Sequence, residues 1–234
     1  MKKRWISAVL TSAMILSLAG CGAQGEQEQE RQPGQAQEET ETMQENTEQD
    51  ASNGDQNVLV AYFSWADNAV LAEDVDAVAS PSVIPPGNVQ QLAGWVQEET
   101  GGDLFSIRVT DPYPSDWDEC LERANEERAE EARPELVENV EDIDQYDTVF
   151  LGYPNWWGDM PMAVYSFLDE YDLSGKTVIP FVTSGGSGFS GTVSEIERLE
   201  PEADVQEGIA LSASGAVNAR DEIEAWLSET GYVQ

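Results

Sequence analysis

Histidine is absent from the 234 residues, and basic side chains are scarce: 11 Lys and Arg stand against 46 Asp and Glu, a net charge of −35. Without an imidazole there is no Ser–His–Asp triad and no histidine metal site. A chain this acidic offers little to nucleic acid, which is bound by basic side chains that displace counterions. Two cysteines, Cys21 and Cys120, are too few for a disulfide scaffold or a cysteine zinc site. The apolar run at 5–19 falls short of the roughly 20 residues a spanning helix needs.

That short run has a recognisable setting. Lys2, Lys3 and Arg4 precede it and Leu18-Ala19-Gly20-Cys21 closes it, the arrangement of an export signal. Cysteine directly after Leu-Ala-Gly resembles the lipobox of bacterial lipoproteins. The resemblance implies cleavage before Cys21, lipidation of Cys21, and an extracytoplasmic domain anchored to the cell membrane. Residues 22–56 hold ten acidic residues, nine glutamines and no aromatic side chain. Such a stretch buries too little apolar surface to offset ordering entropy, so it reads as an acidic disordered tether. Residues 57–234 form the domain, with seven basic residues against 36 acidic ones. At a net charge near −29 it is repelled by anionic headgroups, so the lipid must do the anchoring.

In this domain apolar runs bounded by turn residues alternate with helical spacings. Strands are expected at 58–63, 104–109, 148–153, 177–183 and 208–212. Helices are expected from Val89, with Leu92, Ala93 and Val96 on one face, and at 117–133, 162–171, 193–199 and 219–230. Five β-then-α units predict an α/β sandwich with a five-stranded parallel sheet in the order 2-1-3-4-5. The ligand crevice of that order lies beyond the carboxyl ends of strands one and three. Trp117, Cys120, Leu121 and Ala124 share one helical face, which makes Cys120 a core residue rather than a reactive thiol.

Three loops after strands carry candidate chemistry. The first leaves Ser64-Trp65 and reaches Pro85-Pro86-Gly87-Asn88 before a helix. Gly87 suits a tight turn and Asn88 an N-cap. The helix start offers free amides and a positive dipole end to a phosphate. No lysine or arginine occurs between residue 57 and Arg108, so any phosphate here is held by amides and hydroxyls alone. The second loop is Tyr153-Pro154-Asn155-Trp156-Trp157-Gly158-Asp159-Met160-Pro161. Neighbouring tryptophans of an extended chain cannot face one core together, so one is expected to stack on a flat ligand. The third is Thr183-Ser184-Gly185-Gly186-Ser187-Gly188-Phe189-Ser190-Gly191, rich in unobstructed amides. Its glycine spacing matches a dinucleotide fingerprint only by chance, since no acidic residue closes the following strand.

Val58-Leu59-Val60-Ala61-Tyr62-Phe63-Ser64, Gly152-Tyr153-Pro154-Asn155-Trp156-Trp157-Gly158 and Thr183-Ser184-Gly185-Gly186-Ser187-Gly188 together resemble flavodoxin-like proteins. They look most like the bacterial branch with a Gly-Tyr-Pro-x-Trp-Trp-Gly loop, and the resemblance spans nearly all of 57–234. It implies a flavodoxin-like three-layer sandwich that binds FMN without a covalent link. Ser64, Gly87, Asn88 and Val89 match the phosphate loop, and Trp65 joins the cofactor-binding set. Pro154, Asn155, Trp156, Trp157 and Gly158 match one wall around the flavin ring. Thr183, Ser184, Gly185, Gly186 and Gly188 match the other. The family loop usually ends Gly-Asn-Thr, so Val89 loses a hydroxyl donor. The branch often has histidine where Ser184 stands. An insertion fills 66–86, which leaves Ser64-Trp65-Ala66-Asp67-Asn68-Ala69 as an alternative phosphate loop. Asp67 would repel the anion, and the later Gly87-Asn88 is preferred. The peptide at Gly158 is expected to rotate against flavin N5, because glycine tolerates both conformations.

Two functions follow. One is a surface-tethered FMN redox protein with an unidentified redox partner. It is either an electron carrier or a reductase of a small oxidant such as a quinone, with a low potential for the last electron on its acidic surface. NADPH is a poor expected partner, since its 2′-phosphate wants an arginine. The other is a flavodoxin-shaped lipoprotein that has lost flavin and acts as a binding module.

Overall fold

The alternation along the first strand explains how the layers form. The computed structural model describes residues 57–73, 75 and 81–233. The expected leader and tether lie outside the described residues, as do 74 and 76–80 of the insertion. In β1 (Val58–Tyr62), Val58, Val60 and Tyr62 enter one buried cluster, while Leu59 and Ala61 enter the other, followed by Phe63. Successive side chains of a strand point to opposite faces, so an unbroken apolar run serves two cores.

The remaining main strands are β2 (Asp103–Ser106), β3 (Thr148–Pro154), β4 (Thr177–Ser184) and β5 (Ile209–Ser212). All pair in parallel, in the order β2-β1-β3-β4-β5. This is the 2-1-3-4-5 order expected from the sequence. The helices are α1 (Asn88–Thr100), α2 (Trp117–Ala129), α3 (Met162–Glu170), α4 (Thr192–Leu199), α5 (Ala213–Ala216) and α6 (Arg220–Thr230). Buried residues of α1, α5 and α6 share a cluster with Phe150, Ile179 and Phe181, and those of α2, α3 and α4 share the other with Val149, Leu151 and Val182. Cutting a fully buried side chain such as Leu151 to alanine costs about 2–5 kcal/mol. Among the described residues no helix is long and apolar enough to cross a membrane.

Several boundaries differ from the sequence reading, each for a tertiary reason. The second strand was expected to run through Val109 but ends at Ser106. Buried Asn68 explains this: its Nδ2 donates to Ile107 O (3.0 Å) and its Oδ1 accepts from Val109 N (2.9 Å), replacing strand partners. The helix expected over 117–133 stops at Ala129, with Glu131 at φ 50° and Arg133 turned to Asp169. The outer edge is in two pieces, because Asp204–Val205 pairs with Thr177–Val178 ahead of β5. Pro180 sits opposite the break. Its carbonyl would stand 1.7 Å from a Cβ on Gly208, so only glycine fits there. The N and O of one strand residue point to the same side, so the donor that proline lacks faces the interruption.

Candidate functional site

The loops after β1, β3 and β4 converge on one side of the sheet. Ser64 lies two residues beyond the first strand and is 2% exposed. Gly87 precedes α1 with φ −63° and ψ 159°, an ordinary extended conformation. Its need for glycine is spatial. A Cβ there would lie 2.5 Å from Ser64 Oγ, 2.8 Å from Ser82 O and 2.9 Å from Ala66 Cβ.

The sequence reading made Asn88 the N-cap, and the structure corrects this. Gly87 is the N-cap, and Asn88 is the first helical residue, buried, donating from Nδ2 to Ala213 O (3.1 Å). Its amide joins the start of α1 to the start of α5 instead of capping its own helix. Gln90 Oε1 accepts from Gly87 N–H (3.2 Å), and no side chain caps the first turn. The first-turn amides therefore keep their donors and the positive end of the helix dipole.

The alternative loop is otherwise engaged. Residues Ala66–Asn68 form a 3₁₀ turn, and Asp67 accepts from Tyr62 Oη (2.7 Å) and Ser106 Oγ (2.8 Å). Burial, followed by this carboxylate, pushes the Tyr62 phenol up to about 12. Trp65 is buried, donates from Nε1 to Pro114 O (3.0 Å), and meets Trp117 edge-on at 6.1 Å.

In the second loop, Trp156 and Asp159 exchange both backbone hydrogen bonds, at 2.9 and 3.0 Å. Between them Trp157 (φ 55°) and Gly158 (φ 84°) both have positive φ, the signature of a type I′ hairpin turn. The turn separates the two indoles. Trp156 is half-buried and stands edge-on to Phe63 (5.5 Å) and Tyr113 (5.6 Å), while Trp157 is 43% exposed. Both ends of the Trp157–Gly158 peptide are held. Gly158 N–H donates to Asn155 Oδ1 (2.9 Å), and Arg128 donates to Trp157 O (3.4 Å). Asp159 accepts from Tyr165 Oη (2.6 Å), and burial with that carboxylate raises the Tyr165 phenol.

The third loop is tied to the second. Asn155 Nδ2 donates to Gly188 O (2.7 Å) and to Ser190 Oγ (3.1 Å). Ser184 Oγ accepts from Gly186 N (3.2 Å) and Gly188 N (3.0 Å), with both glycines at positive φ. Where the resembling branch often carries histidine, this hydroxyl orders the glycine turn.

An open cleft lies between the loops. Of the residues expected from the sequence, Ser64, Trp65, Asn88, Val89, Pro154, Asn155, Trp156, Thr183, Ser184 and Gly185 line it. Gly87 backs Ser64 from behind. Trp157, Gly158, Gly186 and Gly188 belong to the second and third loops and are not among its lining residues. Ser82, Trp117 and Ala213 also line it and were not expected. Trp117 had been placed on a core face with Cys120, yet it is 47% exposed. Ala213 gives no side-chain signal in a sequence. Ser82 lies in the insertion, where no local pattern marks it. Cys120 is buried as expected, and burial pushes its thiol up to about 12. Among the described residues no lysine or arginine lines the cleft, and no group of metal-ligating side chains occurs.

The parallel sheet, its strand order and a cleft at the strands' carboxyl ends define a doubly wound α/β protein of the flavodoxin-like class. The flavodoxin family model matches residues 57–230, and the chain belongs to that family. It is similar to a candidate flavoprotein of Bacteroides eggerthii at 30% identity, covering 76% of this chain and 99% of that one, with a TM-score of 0.59. A second, from Bacteroides uniformis, is 26% identical over 74% and 98% of the two chains, with a TM-score of 0.58. A flavoprotein from Lactobacillus acidophilus, solved in complex with FMN, shares the fold at 20% identity over 70% and 97%, with a TM-score of 0.52. No curated protein matches the chain.

Proposed function

We propose that this protein binds FMN in the cleft and serves as a redox protein on the outer face of the cell membrane. It exchanges electrons with a small molecule or a protein partner. The observation that carries this reading is Ser64: a nearly fully buried hydroxyl, without a hydrogen-bond partner among the described residues, lining the cleft beside an uncapped helix start. A buried polar group in that condition costs free energy unless something fills the space and bonds to it. A phosphate does both.

Bound FMN supplies one- and two-electron chemistry, and the protein supplies binding, orientation and electrostatics. The α1 amides and Ser64 hold the phosphate. Trp156, braced by Phe63 and Tyr113, keeps water from one face of the ring. Asn155 and Ser184 hold the two loops that flank it. The surrounding carboxylates disfavour added negative charge, which supports a low potential for the last electron. The leader and Cys21 support export and lipid anchoring.

Titration of purified protein with FMN tests the reading. Quenching of flavin fluorescence at one equivalent, with a yellow protein after desalting, is the expected result. A colourless protein that leaves excess FMN fluorescence unchanged sinks the proposal and favours the binding-module function. Separately, Cys21→Ala should release the protein from the membrane fraction.

A further inference from the structure

The FMN reading leaves a second hydroxyl in the cleft without a task. Ser82 lines the same end as Ser64, Asn88 and Val89, and its hydroxyl has no hydrogen-bond partner among the described residues. Its place is fixed. Val83, next in the chain, is 0% exposed within the core cluster, and the Ser82 carbonyl packs 2.8 Å from where a Gly87 Cβ would stand. Ser64 Oγ closes on that same point from the other side, at 2.5 Å. Ser64 Oγ and the Ser82 carbonyl thus close on the helix start, and Ser82 lines the cleft beside it. Val89 brings no donor side chain to the first turn, and among the described residues no lysine or arginine lines the cleft.

We propose that Ser82 is a binding residue for the phosphate of FMN, and that it thereby completes a cradle of neutral donors that selects a flavin phosphomonoester over unphosphorylated flavin. This rests on the FMN reading of the cleft. An anion without a cationic partner depends on each oriented donor around it. A hydrogen bond to a charged group is worth enough that losing one weakens binding about tenfold or more. Riboflavin shares the ring and lacks the phosphate, so it does not feel that loss.

The test compares FMN and riboflavin affinities of the full-length protein with those of Ser82→Ala, Ser82→Thr and Ser82→Asp. Thermal midpoints without flavin serve as a control on folding. The wild type is expected to prefer FMN by about a hundredfold. Ser82→Ala should lose about tenfold in FMN affinity and under about twofold in riboflavin affinity, Ser82→Thr should keep the preference, and Ser82→Asp should abolish it by repulsion. Should Ser82→Ala fail to fold, the Ser82→Asp and Ser82→Thr pair decides alone. Ser82→Ala with an unchanged ratio, or an equal loss for both flavins, overturns the assignment while the FMN reading stands. A wild type that binds both flavins equally refutes the cradle and spares the ring site. A wild type that binds neither refutes both proposals.

Discussion

Gly87→Ala isolates the steric argument from any backbone effect. At φ −63° and ψ 159° alanine is as comfortable as glycine, so no conformational strain enters. What enters is one methyl group in a space bounded at 2.5, 2.8 and 2.9 Å by Ser64 Oγ, Ser82 O and Ala66 Cβ. Contacts that short force a shift, and all three neighbours are backbone or a short, buried side chain. Overpacking of this kind costs about 1–3 kcal/mol. For a domain of this size each kcal/mol lowers the thermal midpoint by about 2–4 °C. The same methyl crowds the phosphate end, so FMN affinity should fall by about tenfold or more while riboflavin affinity moves little. Gly94→Ala, in the middle of the same helix, is the matched control. Nothing lies within 4 Å of a Cβ there, and the change should stabilise by about 0.5–1 kcal/mol. Calorimetry and flavin titration on both variants provide the assay. A Gly87→Ala protein with wild-type stability and wild-type FMN affinity would refute both the packing and the phosphate placement.

Trp156→Ala should cost about 2–4 kcal/mol of stability and most of the FMN affinity, because its ring rests on Phe63 and Tyr113, whereas exposed Trp157→Ala should cost less than about 1 kcal/mol; equal effects would contradict the division of labour made by the turn. Burial, then the Asp67 carboxylate, raises the Tyr62 phenol from 10.0 to about 12, and burial followed by Asp103 does the same to Tyr146. Their contribution to stability is fully present below pH 10 and is lost as pH rises toward 12. Phenolate absorbance and circular dichroism should therefore change together in that window, and phenols titrating near pH 10 in a folded protein would exclude it. Raising salt from about 10 to 150 mM shortens the screening length from about 30 to 8 Å, so FMN should bind several-fold tighter to this acidic domain, with riboflavin unmoved. Salt that weakens FMN binding would reveal a cation missing from the account.

Much of the fold was legible because the central strands are apolar on both faces. Runs such as Val58-Leu59-Val60-Ala61-Tyr62 leave no alternative to a doubly covered strand, and the spacing of helices between them set the order. The edges were less legible. Asn68 truncates the second strand through hydrogen bonds to residues about 40 positions away, and no local pattern announces that. Most of the site was legible too, as glycine and aromatic loops after strands. The errors came where a side chain had two plausible neighbours. Asn88 reads as a cap, yet it turns to Ala213 on another helix. Trp117 sits on an apolar stripe with Cys120, yet it lies at the helix start, where the stripe runs out over the cleft and meets Trp65. Ser82 depends on where an insertion folds back, which composition does not reveal.

Asn155 couples the two sides of the rim. One carboxamide accepts from Gly158 and donates to Gly188 and Ser190, so neither loop can wander without pulling its neighbour. The disorder a guest would otherwise have to remove from two independent flaps is removed from a single joined frame, already set during folding. Asn155→Ala would split that frame into separate moving parts, and the penalty would surface in how fast a guest escapes, with its arrival little altered.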